Sequence, residues 1–231
     1  MHIAGLQKLT LLDYPGRMAC TLFLAGCNFR CPFCHNAPLV VPGRDAGAVS
    51  EDEVLAFLAK RRGVLEGVVV TGGEPLLQAD LAPLLARIRA LGLAVKLDTN
   101  GSEPQRLEAL VRDGLVDYVA MDIKNAPALY AETTGCAALD LAAVGRSKDF
   151  LLRGSVPYEF RTTVVKGLHT RASLLAAAQW IAGADAYYLQ QFKDSGDLVA
   201  GGGLSAFGED ELRQLAEAVK TIVPHTSVRG V

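Results

Sequence analysis

The chain has 231 residues, half of them apolar and 21% charged, which is enough apolar material for a sizeable core and excludes disorder. Its 23 basic and 25 acidic residues leave a net charge of −2, so no electrostatic surplus draws it onto nucleic acid or an anionic membrane. No apolar run is long enough to span a bilayer, and residues 1–10 lack the charged start and apolar centre of a signal peptide; a cytoplasmic protein with no nucleic-acid or membrane partner is the expectation.

The first strand is predicted over 18–24, an apolar run that includes Cys20. It leads into Cys27-Asn28-Phe29-Arg30-Cys31-Pro32-Phe33-Cys34, which places three of the five cysteines within eight positions. An odd count crowded in this way suits a metal site better than a disulfide framework, and the isolated Cys20 and Cys136 read as small packing residues. Three thiolates are one short of a closed zinc site or an ordinary electron-transfer cluster, so an iron-sulfur cube held here keeps one iron free for another ligand. His35 completes a zinc site on paper, but the side chains of neighbours such as Cys34 and His35 rarely converge on one ion. On spacing alone, an open cluster, zinc and plain thiols all stay open.

A helix follows over 50–62, with Ser50 and Glu53 as a capping box. The strand over 67–71 ends in Gly72-Gly73-Glu74-Pro75, a bare backbone that a ligand can approach, with one carboxylate to fix the loop; it is also an ordinary strand-to-helix turn. A helix over 76–91 carries the stripe Leu81, Leu84, Leu85 and Ile88. The strand over 93–98 ends in Asp98-Thr99-Asn100-Gly101, equally a good turn, and the strand over 116–123 ends in Asp122-Ile123-Lys124, where Lys124 has a solvated rim charge as its plain reading. Helices over 104–112 and 137–152 flank that strand. Next come a strand over 159–165, whose Arg161 has Glu159 or another carboxylate as an ordinary partner, a helix over 170–181, a strand over 187–192, a Gly201-Gly202-Gly203 loop and a helix over 208–221. Six strands alternating with helices demand crossovers, hence an α/β fold with a parallel sheet, open or curled into a partial (βα)6 barrel, as a single domain over 1–231. Ligands in such folds sit at the carboxyl ends of the strands, and all four motifs fall on that rim. His2, His169 and His225 read as surface or capping residues and Trp180 as core packing.

The cysteine motif, with Phe33 as the aromatic before its last cysteine, followed one strand later by Gly-Gly-Glu-Pro, resembles the radical S-adenosylmethionine enzymes. Within that superfamily the chain looks most like the activating enzymes of glycyl-radical proteins, the anaerobic ribonucleoside-triphosphate reductase activating group in particular. The residues that carry this are Leu12-Asp13-Tyr14-Pro15-Gly16, 25–36, 98–101, Met121-Asp122-Ile123-Lys124 and 188–192, nearly end to end. The resemblance implies that Cys27, Cys31 and Cys34 hold a 4Fe-4S cluster whose free iron takes the amino and carboxylate groups of S-adenosylmethionine. It further implies that Gly72 and Gly73 meet the methionine amino group through backbone, that Glu74 holds the motif's shape, and that Phe33 seats the adenine. Asp98, Thr99 and Asp122 match positions beside the ligand that can hold a monovalent cation near its carboxylate, and Lys124 and Arg161 match cationic contacts. A histidine found after the sixth strand in formate-lyase activators aligns with Phe192, so its ligand contact is either absent here or replaced by Gln191. The implied function is an activase that puts a radical on a glycine of a larger partner, with flavodoxin or ferredoxin as electron donor because no second cysteine cluster is available. A small-molecule radical enzyme of the deazaguanine-forming kind and a non-catalytic zinc or thiol interaction domain are the alternatives.

Overall fold

The computed structural model describes residues 1–40, 48–194, 196 and 198–231. Eight strands form one sheet in chain order: β1 (Ile3–Thr10), β2 (Ala19–Leu24), β3 (Gly67–Gly72), β4 (Ala94–Thr99), β5 (Tyr118–Asp122), β6 (Tyr158–Val164), β7 (Tyr187–Gln191) and β8 (Thr226–Arg229). β1 runs antiparallel to β2, and every later strand is parallel to the one before it. The six expected strands are β2 to β7. β1 and β8 add one edge each; β1 contains Gly5, Gln7 and Lys8 and β8 is the four-residue Thr-Ser-Val-Arg, so neither has an apolar run, and each is extended because a neighbouring strand offers it a ladder.

The helices are α1 (Ala37–Val40), α2 (Glu51–Lys60), α3 (Leu81–Ala90), α4 (Pro104–Arg112), α5 (Tyr130–Thr134), α6 (Leu141–Leu152), α7 (Arg171–Trp180) and α8 (Glu209–Lys220). The Ser50–Glu53 capping box opens α2 as expected. The helix expected over 76–91 is shorter: a 3-10 turn at Pro75–Leu77 comes first, and extended Gln78 breaks the run by donating its side-chain amide to the Ala25 carbonyl at 2.8 Å. The helix expected over 137–152 begins at Leu141, where Asp140 accepts the Ala143 amide at 3.0 Å.

Strand side chains alternate between two faces. Leu22, Val68, Val70, Val95, Leu97, Val119 and Leu189 point outward and pack with Leu84, Leu85 and Ile88 of α3 and their counterparts. Each fully buried leucine of this layer contributes roughly 1.5–3 kcal/mol. The inward residues Thr21, Phe23, Val69, Asp98, Asp122, Arg161 and Gln190 border one cavity, so the sheet curls into a partial barrel. Among the described residues no helix is long and apolar enough to cross a membrane.

Candidate active site

The cavity encloses about 390 Å³ at the carboxyl ends of the strands. Cys27, Cys31, Cys34, Phe33, Gly72, Gly73, Asp98, Thr99, Asp122, Lys124 and Arg161 all line it. Four strand exits, far apart in sequence, thus meet because parallel strands in chain order place their carboxyl ends side by side.

The two glycines serve packing as much as ligand approach. A Cβ on Gly72 would lie 2.3 Å from the Leu24 carbonyl oxygen, and one on Gly73 2.0 Å from that of Gly26, so bare backbone lets the exit of β3 lie against the start of the cysteine loop. The Gly73 amide donates to Leu24 and the Glu74 amide to Gly26, at 2.8 and 2.7 Å. Gly73→Ala is expected to cost about 1–3 kcal/mol of stability and to displace the cysteine loop. Urea unfolding and iron content after reconstitution measure both; a variant that matches the unaltered protein in each would refute this packing role.

Glu74 does not border the cavity; it is fully buried behind it. Its Oε1 accepts from the Leu76 amide at 3.0 Å and the Thr99 hydroxyl at 2.8 Å, and its Oε2 from the Asn100 amide at 2.6 Å. One carboxylate thereby ties the exit of β3 to the exit of β4. Burial pushes its carboxyl up to about 7 from the ordinary 4.5, against the pull of those three donors. A raised acid loses its proton in the unfolded chain first, so between these two values rising pH favours unfolding, by about 3 kcal/mol in total. The urea midpoint of the metal-free protein is expected to decline across that window, and Glu74→Gln, which turns an amide group onto a donor, is expected to start lower and lose the slope.

Asp98, Asp122, Arg161, Lys124 and the unanticipated Lys96 form a ladder of alternating charge across β4, β5 and β6. Arg161 sits opposite Asp122 in strand register. Its Nη1 donates to Asp98 Oδ2 at 3.0 Å and its Nε to Asp122 Oδ1 at 2.9 Å. Lys124 Nζ holds Asp122 Oδ2 at 2.9 Å, and Lys96 Nζ holds Asp98 Oδ1. Burial alone would raise both aspartates, but Arg161, seconded by Lys96 at Asp98 and by Lys124 at Asp122, holds them below their ordinary values. The carboxylate partner of Arg161 is therefore not Glu159, which pairs with Arg229 instead.

The thiols are soft donors in a dry place. Burial pushes Cys27 up to about 11 and Cys31 to about 12, so each keeps its proton until a soft metal replaces it. Cys27 Sγ accepts from the Phe29 amide at 3.4 Å and from Asn100 Nδ2 at 3.9 Å, and Arg30 clamps the Cys27 and Phe29 carbonyls at 2.6 and 2.7 Å. Among the described residues no three His, Cys, Asp or Glu side chains converge on one point, as a single ion would require. Three thiols on one side of the cavity, with paired charges opposite, fit a polynuclear cluster carrying a zwitterionic ligand.

Two sequence expectations need correction. Gln191 points away from the cavity, its Nε2 bonded to the Phe207 carbonyl at 2.7 Å, and Gln190, one pleat earlier, lines the cavity. His169 is neither a surface nor a capping residue: it is buried, with Nδ1 accepting the Val165 amide at 3.1 Å, Nε2 facing the Lys124 carbonyl at 2.8 Å, and its ring edge-on to Phe33. Cap duty falls to Thr170. Lys96 and Gln190 were detectable by strand alternation, since each shares a face with a residue two positions away; no local signal marks His169.

Fold and site together define a partial-barrel α/β enzyme with a thiol-lined cofactor cavity at the strand exits. Residues 21–138 match the model of the Radical SAM superfamily, and the chain belongs to that superfamily. It is 30% identical over 237 residues to a protein of Methanocaldococcus jannaschii provisionally named a glycyl-radical enzyme activating enzyme, covering 99% of this chain and 96% of that one. It is also 30% identical over 134 residues to the pyruvate formate-lyase-activating enzyme of Staphylococcus aureus, covering 54% of this chain and 53% of that one. The fold is that of the radical SAM methyltransferase from Sphaerobacter thermophilus, with TM-score 0.71 at 14% identity over 96% of this chain and 68% of that one. Membership implies a 4Fe-4S cluster and S-adenosylmethionine, and the three cysteines suit the first by donor type and the ladder the second by charge.

Proposed function

We propose that this chain is an activase that binds S-adenosylmethionine at a 4Fe-4S cluster held by Cys27, Cys31 and Cys34 and puts a radical on a backbone glycine of a larger partner, by resemblance the anaerobic ribonucleoside-triphosphate reductase. Bound there, the cluster with its ligand would supply, for one electron received, reductive cleavage to methionine and a 5′-deoxyadenosyl radical able to take hydrogen from a nearby C–H. The chain's own residues orient and enclose. Gly72 and Gly73 offer backbone to the methionine amino group, Phe33 a face for the adenine, and Lys124 and Arg161 positive charge for the carboxylate, with Thr99 beside them.

The observation that carries the protein-substrate reading is the filled lumen beneath the ladder. There Arg229 grips Glu159 through two bonds of 2.7 and 2.9 Å, the Tyr118 hydroxyl donates to Glu159 at 3.1 Å, and Tyr14 packs against Tyr118. The space left, about 390 Å³, is at the small end of the roughly 300–1,000 Å³ usual for ligand sites. A cluster with its nucleoside ligand would take up much of such a volume, which leaves little enclosed room for a second small molecule and supports a hydrogen donor presented at the rim, as a loop of another protein can present it. Near end-to-end similarity to the archaeal relative supports the same reading, and the single eight-stranded sheet supports one domain. Only Cys20 and Cys136 lie outside the cluster motif, too few for a relay, so a flavodoxin or ferredoxin delivers the electron.

Anaerobic incubation of the reconstituted protein with S-adenosylmethionine, a reductant and the candidate reductase is expected to give a glycyl-radical signal in electron paramagnetic resonance of the partner. Turnover of a small molecule with no radical on any partner would replace this reading by the deazaguanine-forming kind.

A further inference from the structure

The monovalent cation implied by resemblance does not fit the ladder. All four carboxylate oxygens that would receive it are engaged: Asp98 Oδ1 by Lys96, Asp98 Oδ2 and Asp122 Oδ1 by Arg161, and Asp122 Oδ2 by Lys124. A hard cation needs oxygen ligands, and here every carboxylate candidate already accepts from a positively charged nitrogen, while the Thr99 hydroxyl is taken up between Glu74, to which it donates, and the Gly101 amide, from which it accepts. Lys96 is the decisive member. It lies two residues before Asp98 on the same inward face of β4, is 1% exposed, and has Asp98 as its ion-pair partner among the described residues. A buried ammonium in that position cannot be displaced by an alkali ion without being left unpaired, which is costly.

The charge count shows what Lys96 adds. Arg161 and Lys124 against Asp98 and Asp122 sum to zero; with Lys96 the ladder carries one positive charge. A ligand carboxylate entering the cavity then brings the group to neutrality. Without Lys96 the same carboxylate would leave a net negative charge in a buried site, and a cation from solution would be needed to balance it.

We propose that Lys96 is a built-in replacement for the monovalent cation, its ammonium supplying from the chain itself the charge that neutralises Asp98, so that cofactor binding needs no alkali ion. The inference rests on the S-adenosylmethionine reading of this cavity. Lys96 is a positioning residue: it does not border the cavity and acts through Asp98.

The test compares the iron-loaded protein with its Lys96→Met variant, in buffer whose only cation is tetramethylammonium and in the same buffer with potassium or sodium chloride. S-adenosylmethionine affinity is read by anaerobic equilibrium dialysis, and alkali-ion binding by thallium-205 resonance of the unaltered protein with thallous ion as the potassium probe. The unaltered protein is expected to bind S-adenosylmethionine equally well, within twofold, in both buffers and to bind no thallous ion at the site. Lys96→Met is expected to lose at least tenfold in affinity in tetramethylammonium and to recover most of it with potassium or sodium. Alkali dependence or stoichiometric thallous binding in the unaltered protein overturns the proposal even if the variant does not fold, and so does a folded variant whose loss no alkali ion repairs. If the unaltered protein with its full iron content binds no S-adenosylmethionine in either buffer, the functional reading itself fails, and this inference with it.

Discussion

Replacing Cys31 with alanine is expected to abolish 5′-deoxyadenosine release by the reduced, anaerobically reconstituted protein and to strip it of most of its iron. Cys31 is the most buried of the three thiols that line the cavity, and its carbonyl accepts the Cys34 amide at 3.0 Å, so it sits at the turn that presents two of the three donors. Two remaining thiolates are too few to hold a cube whose fourth iron must stay open, and without the cube no group in the cavity can pass an electron to a sulfonium. Cys136→Ala is the matched control: Cys136 lies outside the cavity, beside the left-handed Gly135 that ends α5, and its loss is expected to leave iron and product unchanged. Iron with acid-labile sulfide in the parent and its loss in the Cys31 variant alone would establish the assignment. A colourless protein that holds zinc after anaerobic preparation would overturn it in favour of a thiol-bearing interaction domain.

Arg161→Met is expected to have the largest effect on stability, about 3–5 kcal/mol at neutral pH, because breaking a buried pair leaves uncompensated charge behind. Among the described residues Arg161 is the one cation that touches both aspartates, and without it Asp98 and Asp122 face each other with Lys96 and Lys124 at the outer ends. The pH dependence gives the effect a signature that a simple cavity would lack. In the parent, both carboxyls are held below their ordinary values, so their contribution is complete above the ordinary aspartate pKa and disappears as pH falls through the lowered one. In the variant, burial acts with less opposition, the carboxyls rise, and protonation relieves the repulsion. The difference in urea midpoint between the two proteins is therefore expected to shrink as pH falls from 7 towards 4. A difference that stays constant over that range would mean that the loss comes from packing of the arginine stem rather than from charge.

Much of the fold was legible because its signals are local. Runs such as Val68-Val69-Val70, short, β-branched and bounded by glycines, read as a strand covered on both faces, and the Leu81, Leu84, Leu85, Ile88 spacing reads as a helix with one buried stripe. The cysteine triad and its rim companions were equally readable, since three thiols in eight positions and a Gly-Gly-Glu-Pro turn are short patterns of uncommon residues. Elements without such patterns escaped: β1 interrupts its apolar residues with Gly5, Gln7 and Lys8, β8 has four residues, and the break at Gln78 depends on a carbonyl of Ala25 more than fifty residues away.

What the sequence by itself determined is therefore the α/β class and the order of strands β2 to β7, and it singled out Cys27, Cys31 and Cys34 as candidate donors, their assignment to a cluster being what the resemblance implies. The strands follow from periodicity and propensity, and the cysteine cluster from spacing, each within one stretch of chain. Only the tertiary structure decided that Arg161 pairs with Asp98 and Asp122 rather than with Glu159, that Gln190 and not Gln191 faces the cavity, and that buried Lys96 stands behind Asp98. It also decided that His169 braces Phe33 and the Lys124 carbonyl from within the core. The physical reason is the same in each case. Which charge meets which is set by strand register and by the inward or outward phase of the pleat, and a shift of one residue in either would exchange every partner without altering any local pattern.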